Sequence, residues 1–151
     1  VTRLVVVDIA PRDYHWVAHR KEFAAMNELH LASLQSRREA EMRFETLVDD
    51  FAMRKFLATN LERLPGGGWK WTINLPVLAA ALPELEKSSL QTNDRYTGPT
   101  LFINGARSQY VQSAGHAVIH RHFPSARIET IATSGHNPHI ETREEFVRLV
   151  I

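Results

Sequence analysis

Cysteine is missing from all 151 residues of the chain. Disulfides, thiolate catalysis and cysteine-ligated metal are therefore excluded. The absence suits a reducing compartment, so the expected location is intracellular: cytoplasmic, or mitochondrial if a targeting segment has been lost. No apolar run approaches the roughly 20 residues that a membrane span requires, and no signal peptide opens the sequence. Charge of one sign is lacking too. The formal net charge is +1, which gives no electrostatic footprint for nucleic acid or a membrane surface. There is no initiator Met, and Val1 stands just ahead of a strand, so the sequence is expected to be part of a longer protein. What remains is 44% hydrophobic and 23% charged, as in ordinary globular proteins, and long enough to build a core.

Apolar, β-branched runs mark the strands. Arg3–Val7 ("RLVVV") and Thr100–Asn104 ("TLFIN") read as continuous hydrophobic segments, the pattern of parallel strands covered on both faces. Arg127–Ile131 ("RIETI") alternates and reads as a more peripheral strand. Gln112–His122 supplies a β-α-β crossover helix, whose histidines are expected on a solvated face. Thr142 and Glu145 form a capping box ahead of a last helix from Arg143 to Val150. Between the first two strands the pattern shows no strand. Helices are expected over Arg20–Ser33, Arg37–Asp50 and Met53–Glu62, with a capping box at Ser36 and Glu39, then an extended "TINLP" and a short helix "VLAAAL". The expected organisation is a core of residues 1–14 and 98–151 with a helical cap at 15–97. The Gly66–Gly68 run lacks the strand-turn-helix setting of a phosphate loop, so no nucleotide site is read there.

Two residues stand out for chemistry. Asp8 ends the first strand in "LVVVDIAP", and open α/β sheets place their ligands at the carboxyl ends of strands. Its bland alternative is a turn or capping aspartate. His136 lies in "TSGHNPH", a Gly-flanked loop a few residues past the third strand. A catalytic histidine needs a loop that lets it face a nucleophile and a carboxylate behind it to fix its tautomer. Asp8 and His136 both sit at carboxyl ends of parallel strands and can converge there. His139 competes for the same role. A metal site is not expected, because zinc needs three or four ligands and no nearby residues complete a set with this pair.

Taken together, "LVVVDIAPRDY", "WTINLPVL", "PTLFINGARSQYV" and "HFPSARIETIATSGHNPHIETREEFV" resemble the α/β-hydrolase superfamily. More narrowly they resemble small carboxylesterases and thioesterases whose sixth strand ends in "VDIAP". The resemblance implies a partial α/β-hydrolase fold, parallel strands six to eight, with a mostly helical cap inserted after strand six. It implies a Ser-His-Asp triad in which Asp8 is the acid and His136 the base. Ser108 in "GARS" stands where most relatives carry the acid. The resemblance gives Ser108 and Gln109 supporting roles beside Asp8 and His136, and Trp69 and Trp71 contacts with an acyl group. The nucleophile elbow G-x-S-x-G occurs nowhere in the chain, so the serine is expected outside it. No cofactor is implied. The expected partners are a small-molecule acyl ester or thioester, and a complementary N-terminal chain or a second copy. Two alternatives stay open: epoxide or haloalkane hydrolysis on the same fold, and a non-catalytic fragment that binds a complementary chain.

Overall fold

The structure, a computed structural model, describes residues 1–151. In chain order its elements are β1 (Leu4–Val7), α1 (Val17–Glu28), α2 (Arg37–Phe44), α3 (Phe51–Ala58), β2 (Leu61–Arg63), β3 (Trp69–Trp71), α4 (Leu75–Leu85), β4 (Thr100–Gly105), α5 (His116–His122), β5 (Ala126–Ile131), α6 (Pro138–Glu141) and α7 (Arg143–Val150). They form two compact units, one of residues 1–13 with 87–151 and one of residues 14–86.

The first unit is built on a parallel sheet in the order β1-β4-β5. Leu4 aligns with Thr100 and Val7 with Ile103, and Thr100 aligns with Ala126 and Gly105 with Ile131. This register brings the carboxyl ends of all three strands to one edge, where loops can share a site. Phe102, Ile119, Val111 and Ala10 are buried together, with Val6, Phe123 and Ile128 packed against them. Each such large side chain contributes roughly 1.5–3 kcal/mol on burial. Residues 87–97, expected in the cap, pack with the sheet. Ser88 N donates to Asp13 Oδ1 at 2.7 Å, Tyr96 N donates to the His122 carbonyl at 2.9 Å, and Ser125 Oγ donates to the Thr97 carbonyl at 3.0 Å. His122 is buried and not solvated; its Nδ1 lies 2.9 Å from the Asp94 carbonyl.

The second unit is mostly helical. Three of its helices start on side-chain caps. Ser36 Oγ accepts from Glu39 N, Asp50 Oδ1 from Ala52 N and Met53 N, and Asn74 Oδ1 from Val77 N. The helices bury Met26, Leu29, Phe44, Leu57, Leu61 and Leu75 in one cluster. They are shorter than the sequence pattern suggests, because extended backbone follows Glu28 and turns follow Phe44 and Ala58. The insert also contains strands, contrary to expectation. β2 and β3 pair antiparallel, Leu61 opposite Trp71 and Arg63 opposite Trp69. Gly67 and Gly68 close the hairpin at φ 89° and 83°, a backbone region that only glycine enters freely. Three-residue strands show too little alternation to be read from sequence; the glycine pair was the legible signal.

Candidate active site

Asp8 follows the last residue of β1. Its backbone N donates to the Ile103 carbonyl at 2.8 Å, which carries the parallel pairing one residue past the strand. It then turns at φ 47°, the only non-glycine residue of the chain with positive φ. Aspartate tolerates this region better than most residues. The turn leaves the carboxylate 1% exposed at the sheet edge. A buried carboxylate needs hydrogen-bond donors, and Asp8 has them. Oδ1 accepts from Gly105 N at 3.1 Å, and Oδ2 accepts from Ser108 Oγ. His136 Nδ1 lies 2.7 Å from Oδ2.

Ser108 comes from the turn after β4. Its hydroxyl donates to Asp8 and accepts from Tyr110 N at 3.1 Å, so both of its functions are used. Gln109 does not join. It is exposed, and its amide oxygen accepts from Gln112 Nε2 at 2.5 Å. The turn that buries Ser108 points its neighbour outward.

The His136 loop is fastened on both sides. Ser134, fully buried, offers its carbonyl to Arg107 N at 3.0 Å, and its own N donates to the Ile131 carbonyl at 3.3 Å. The loop presses so closely on β4 that a Cβ at Gly105 would lie 2.1 Å from the Gly135 carbonyl oxygen and 2.4 Å from that of Ser134. Tyr110 stacks on the imidazole, centroids 3.8 Å apart and rings 13° from parallel. The His136 side chain is 46% exposed while Asp8 is wholly buried. One face of the histidine is thus held from behind, and no protein group bonds its Nε2. A carboxylate only accepts hydrogen bonds, so an ionised Asp8 places the ring proton on Nδ1 and leaves Nε2 as an acceptor.

His139 stays out of this arrangement; its ring meets Phe146 edge-on at 6.1 Å. It belongs to α6, a short helix that starts directly after Asn137. Thr142 makes no side-chain cap for α7. Its hydroxyl instead donates to the Pro138 carbonyl at 3.1 Å. Glu141 closes α6 and folds back on the histidine loop. Gly135 N donates to its Oε2 at 2.7 Å and Asn137 N to its Oε1 at 2.9 Å. Those two bonds, and to a lesser extent the Arg107 guanidinium, hold its carboxyl below the usual value of 4.5, against an opposing effect of burial. Sequence reasoning passed over Gly105, Tyr110 and Glu141. For Glu141 a signal existed, an Asn-Pro helix start with an acid in the first turn.

The tryptophans lie in the other unit. Trp69 and Trp71 are half-buried on β3 and pack on the helical core. The Arg37 and Arg63 guanidinium carbons sit 5.9 and 5.8 Å from the Trp69 ring centroid. An apolar cavity of that unit, about 340 Å³, is lined by other side chains, among them Phe23, Met26, Phe56, Leu78 and Leu82.

No family model matches the chain. Individual proteins do. The sn-1-specific diacylglycerol lipase ABHD11 of Mus musculus is 37% identical over 155 residues, which cover 99% of this chain and 50% of that protein. The esterase YbfF of Escherichia coli is 31% identical over 150 residues, 99% of this chain and 56% of that one. Among solved structures, a marine microorganism esterase superposes with a TM-score of 0.91 at 27% identity, over 98% of this chain and 59% of its own. The chain has the α/β-hydrolase fold. It carries a C-terminal portion of that fold, the parallel sheet with its helical insert, and its α/β-hydrolase relatives are esterases and lipases. The chain spans about half the length of the curated relatives it matches. No helix is long and apolar enough to cross a membrane.

Proposed function

We propose that this chain supplies the acid and the base of a Ser-His-Asp triad that hydrolyses carboxylic esters or thioesters. The serine lies outside the 151 residues, in an N-terminal half that completes the sheet beside β1. One observation carries the reading: His136 Nδ1 stands 2.7 Å from a buried carboxylate while the rest of the ring is half exposed. That is the arrangement of a base oriented from behind, with its second nitrogen turned to a reactant.

In the proposed reaction the serine hydroxyl attacks the acyl carbonyl as His136 Nε2 takes its proton. Asp8 then stabilises the imidazolium by holding the Nδ1 proton. Collapse of the tetrahedral intermediate releases the alcohol or thiol, to which Nε2 returns the proton. Water repeats the cycle on the acyl-serine, with His136 again as base. Asp8 stays ionised throughout, and Ser108 and Gly105 N hold its oxygens.

The test is turnover of p-nitrophenyl esters by the chain joined to its serine-bearing half. His136→Ala should lower the rate by several orders of magnitude, on the scale of about 10⁴ to 10⁶ for loss of a triad member. The isolated chain should show no turnover. Equal rates with and without His136 would end the proposal.

A further inference from the structure

We propose that Glu141 is a positioning residue for His136, and that it acts by clamping the N–H groups of the residues before and after the histidine, those of Gly135 and Asn137. The role deepens the triad reading and rests on it. The geometry is specific. The two oxygens of one carboxylate each take one N–H, Gly135 N at 2.7 Å and Asn137 N at 2.9 Å. His136 lies between those donors. Holding the Ser134–Gly135 and His136–Asn137 peptide groups on one carboxylate restricts the path of the backbone between them, and hence the direction of the His136 Cα–Cβ bond.

The rest of the loop is suited to this grip. A Cβ at Gly135 would meet the Glu141 carboxylate oxygens at 3.0 and 3.2 Å, so glycine allows the carboxylate to come close. Pro138 starts α6 and is buried, which sets the helix that delivers Glu141. Asn137 offers no side-chain cap to that helix, so Glu141 takes over the reach-back of a capping box, one residue later than usual. Asp8 and Tyr110 hold the ring itself. Without the clamp, the ring would keep those two contacts on a backbone free to move, and a shift near 1 Å at a reacting group can cost about 10²-fold in rate.

Hydrogen exchange and imidazole NMR of the chain joined to its serine-bearing half, with no substrate present, test the clamp apart from turnover. In the parent chain the His136 Nδ1 proton should be visible and slow to exchange. In Glu141→Gln one acceptor oxygen is replaced by a donor that faces an N–H, so that proton and the Gly135 and Asn137 amides should exchange at least tenfold faster. Amides of β4 should be unchanged. Glu141→Asp, with a carboxylate that reaches only one N–H, should fall between the two. Glu144→Gln on α7 is the control and should match the parent. A uniform rise across the sheet in Glu141→Gln would mean a general structural role and overturn the inference, as would an unchanged His136 proton in a folded variant. If Glu141→Gln fails to fold, Glu141→Asp decides on the same readings. In the serine-completed enzyme, Glu141→Gln should lower kcat about tenfold with KM within twofold, and should add nothing on top of His136→Ala. Full turnover without His136 would sink the triad while the exchange data still judged the clamp.

Discussion

Asp8→Asn separates the charge of the buried carboxylate from its shape. Asparagine is among the residues most at ease at the φ of 47° found here, so the turn after β1 should survive. Gly105 N still needs an acceptor and will keep the side-chain oxygen. The amide NH₂ then takes the place of Oδ2, facing Ser108 and His136. Ser108 can turn its hydroxyl to accept. His136 must also accept at Nδ1, so its proton moves to Nε2, the nitrogen that has to be bare for a base. The stability ledger nearly balances. Losing charge assistance costs about 1 kcal/mol for each of the three hydrogen bonds, and no longer burying a charge returns several kcal/mol. The net change should stay within about 2 kcal/mol by denaturant titration. Turnover in the serine-completed enzyme should nonetheless fall about 10⁴-fold. Imidazole nitrogen shifts should report the Nδ1–H tautomer in the parent and Nε2–H in the variant. Asp8→Ala, which strands the same donors and strains the turn, should cost about 3–5 kcal/mol. An Asp8→Asn enzyme with more than a tenth of parental turnover, or an unchanged tautomer, would refute this reasoning.

Gly105→Ala forces a methyl against the Gly135 and Ser134 carbonyl oxygens, at 2.1 and 2.4 Å before relaxation. It should cost about 1–3 kcal/mol by thermal melt and, by displacing the loop about 1 Å, about 10²-fold in turnover. Glu86 is buried and takes Arg20 Nη2 and Trp16 N on its carboxylate, while its carbonyl takes Tyr14 N. Glu86→Ala should destabilise the helical unit by about 1–3 kcal/mol and leave the His136 ring proton untouched. Because Glu141 titrates below its usual value when folded, its contribution is fully present above about pH 4.5 and is lost as pH falls through the lower folded value. Protection of the Gly135 and Asn137 amides, relative to their intrinsic exchange rate at each pH, should therefore fall on acidification below about pH 4.5 in the parent, and this pH step should be missing in Glu141→Gln.

Composition and pattern determined the parallel strands, because runs such as "LVVV" and "TLFI" are stable only when covered on both faces. They also marked Asp8 and His136, because a carboxylate at the tip of so apolar a strand and a histidine after Ser-Gly are costly places for idle polar groups. The structure decided what holds that pair. Gly105 N and the Tyr110 ring come from the end of β4 and the loop after it, the Glu141 carboxylate comes from α6, and only the fold brings them to Asp8 and His136. The sign of Gln109 against Ser108 was likewise settled by the turn, which buries one side chain and exposes the next. Helix ends in the insert and its short hairpin depended on which faces found the cluster around Phe44 and Leu61. Propensity is a weak prior against such packing. Sequence could say which groups are able to carry the proposed chemistry, since side-chain type is local. It could not say what orients them, since orientation comes from backbone groups that every residue shares and only folding brings together.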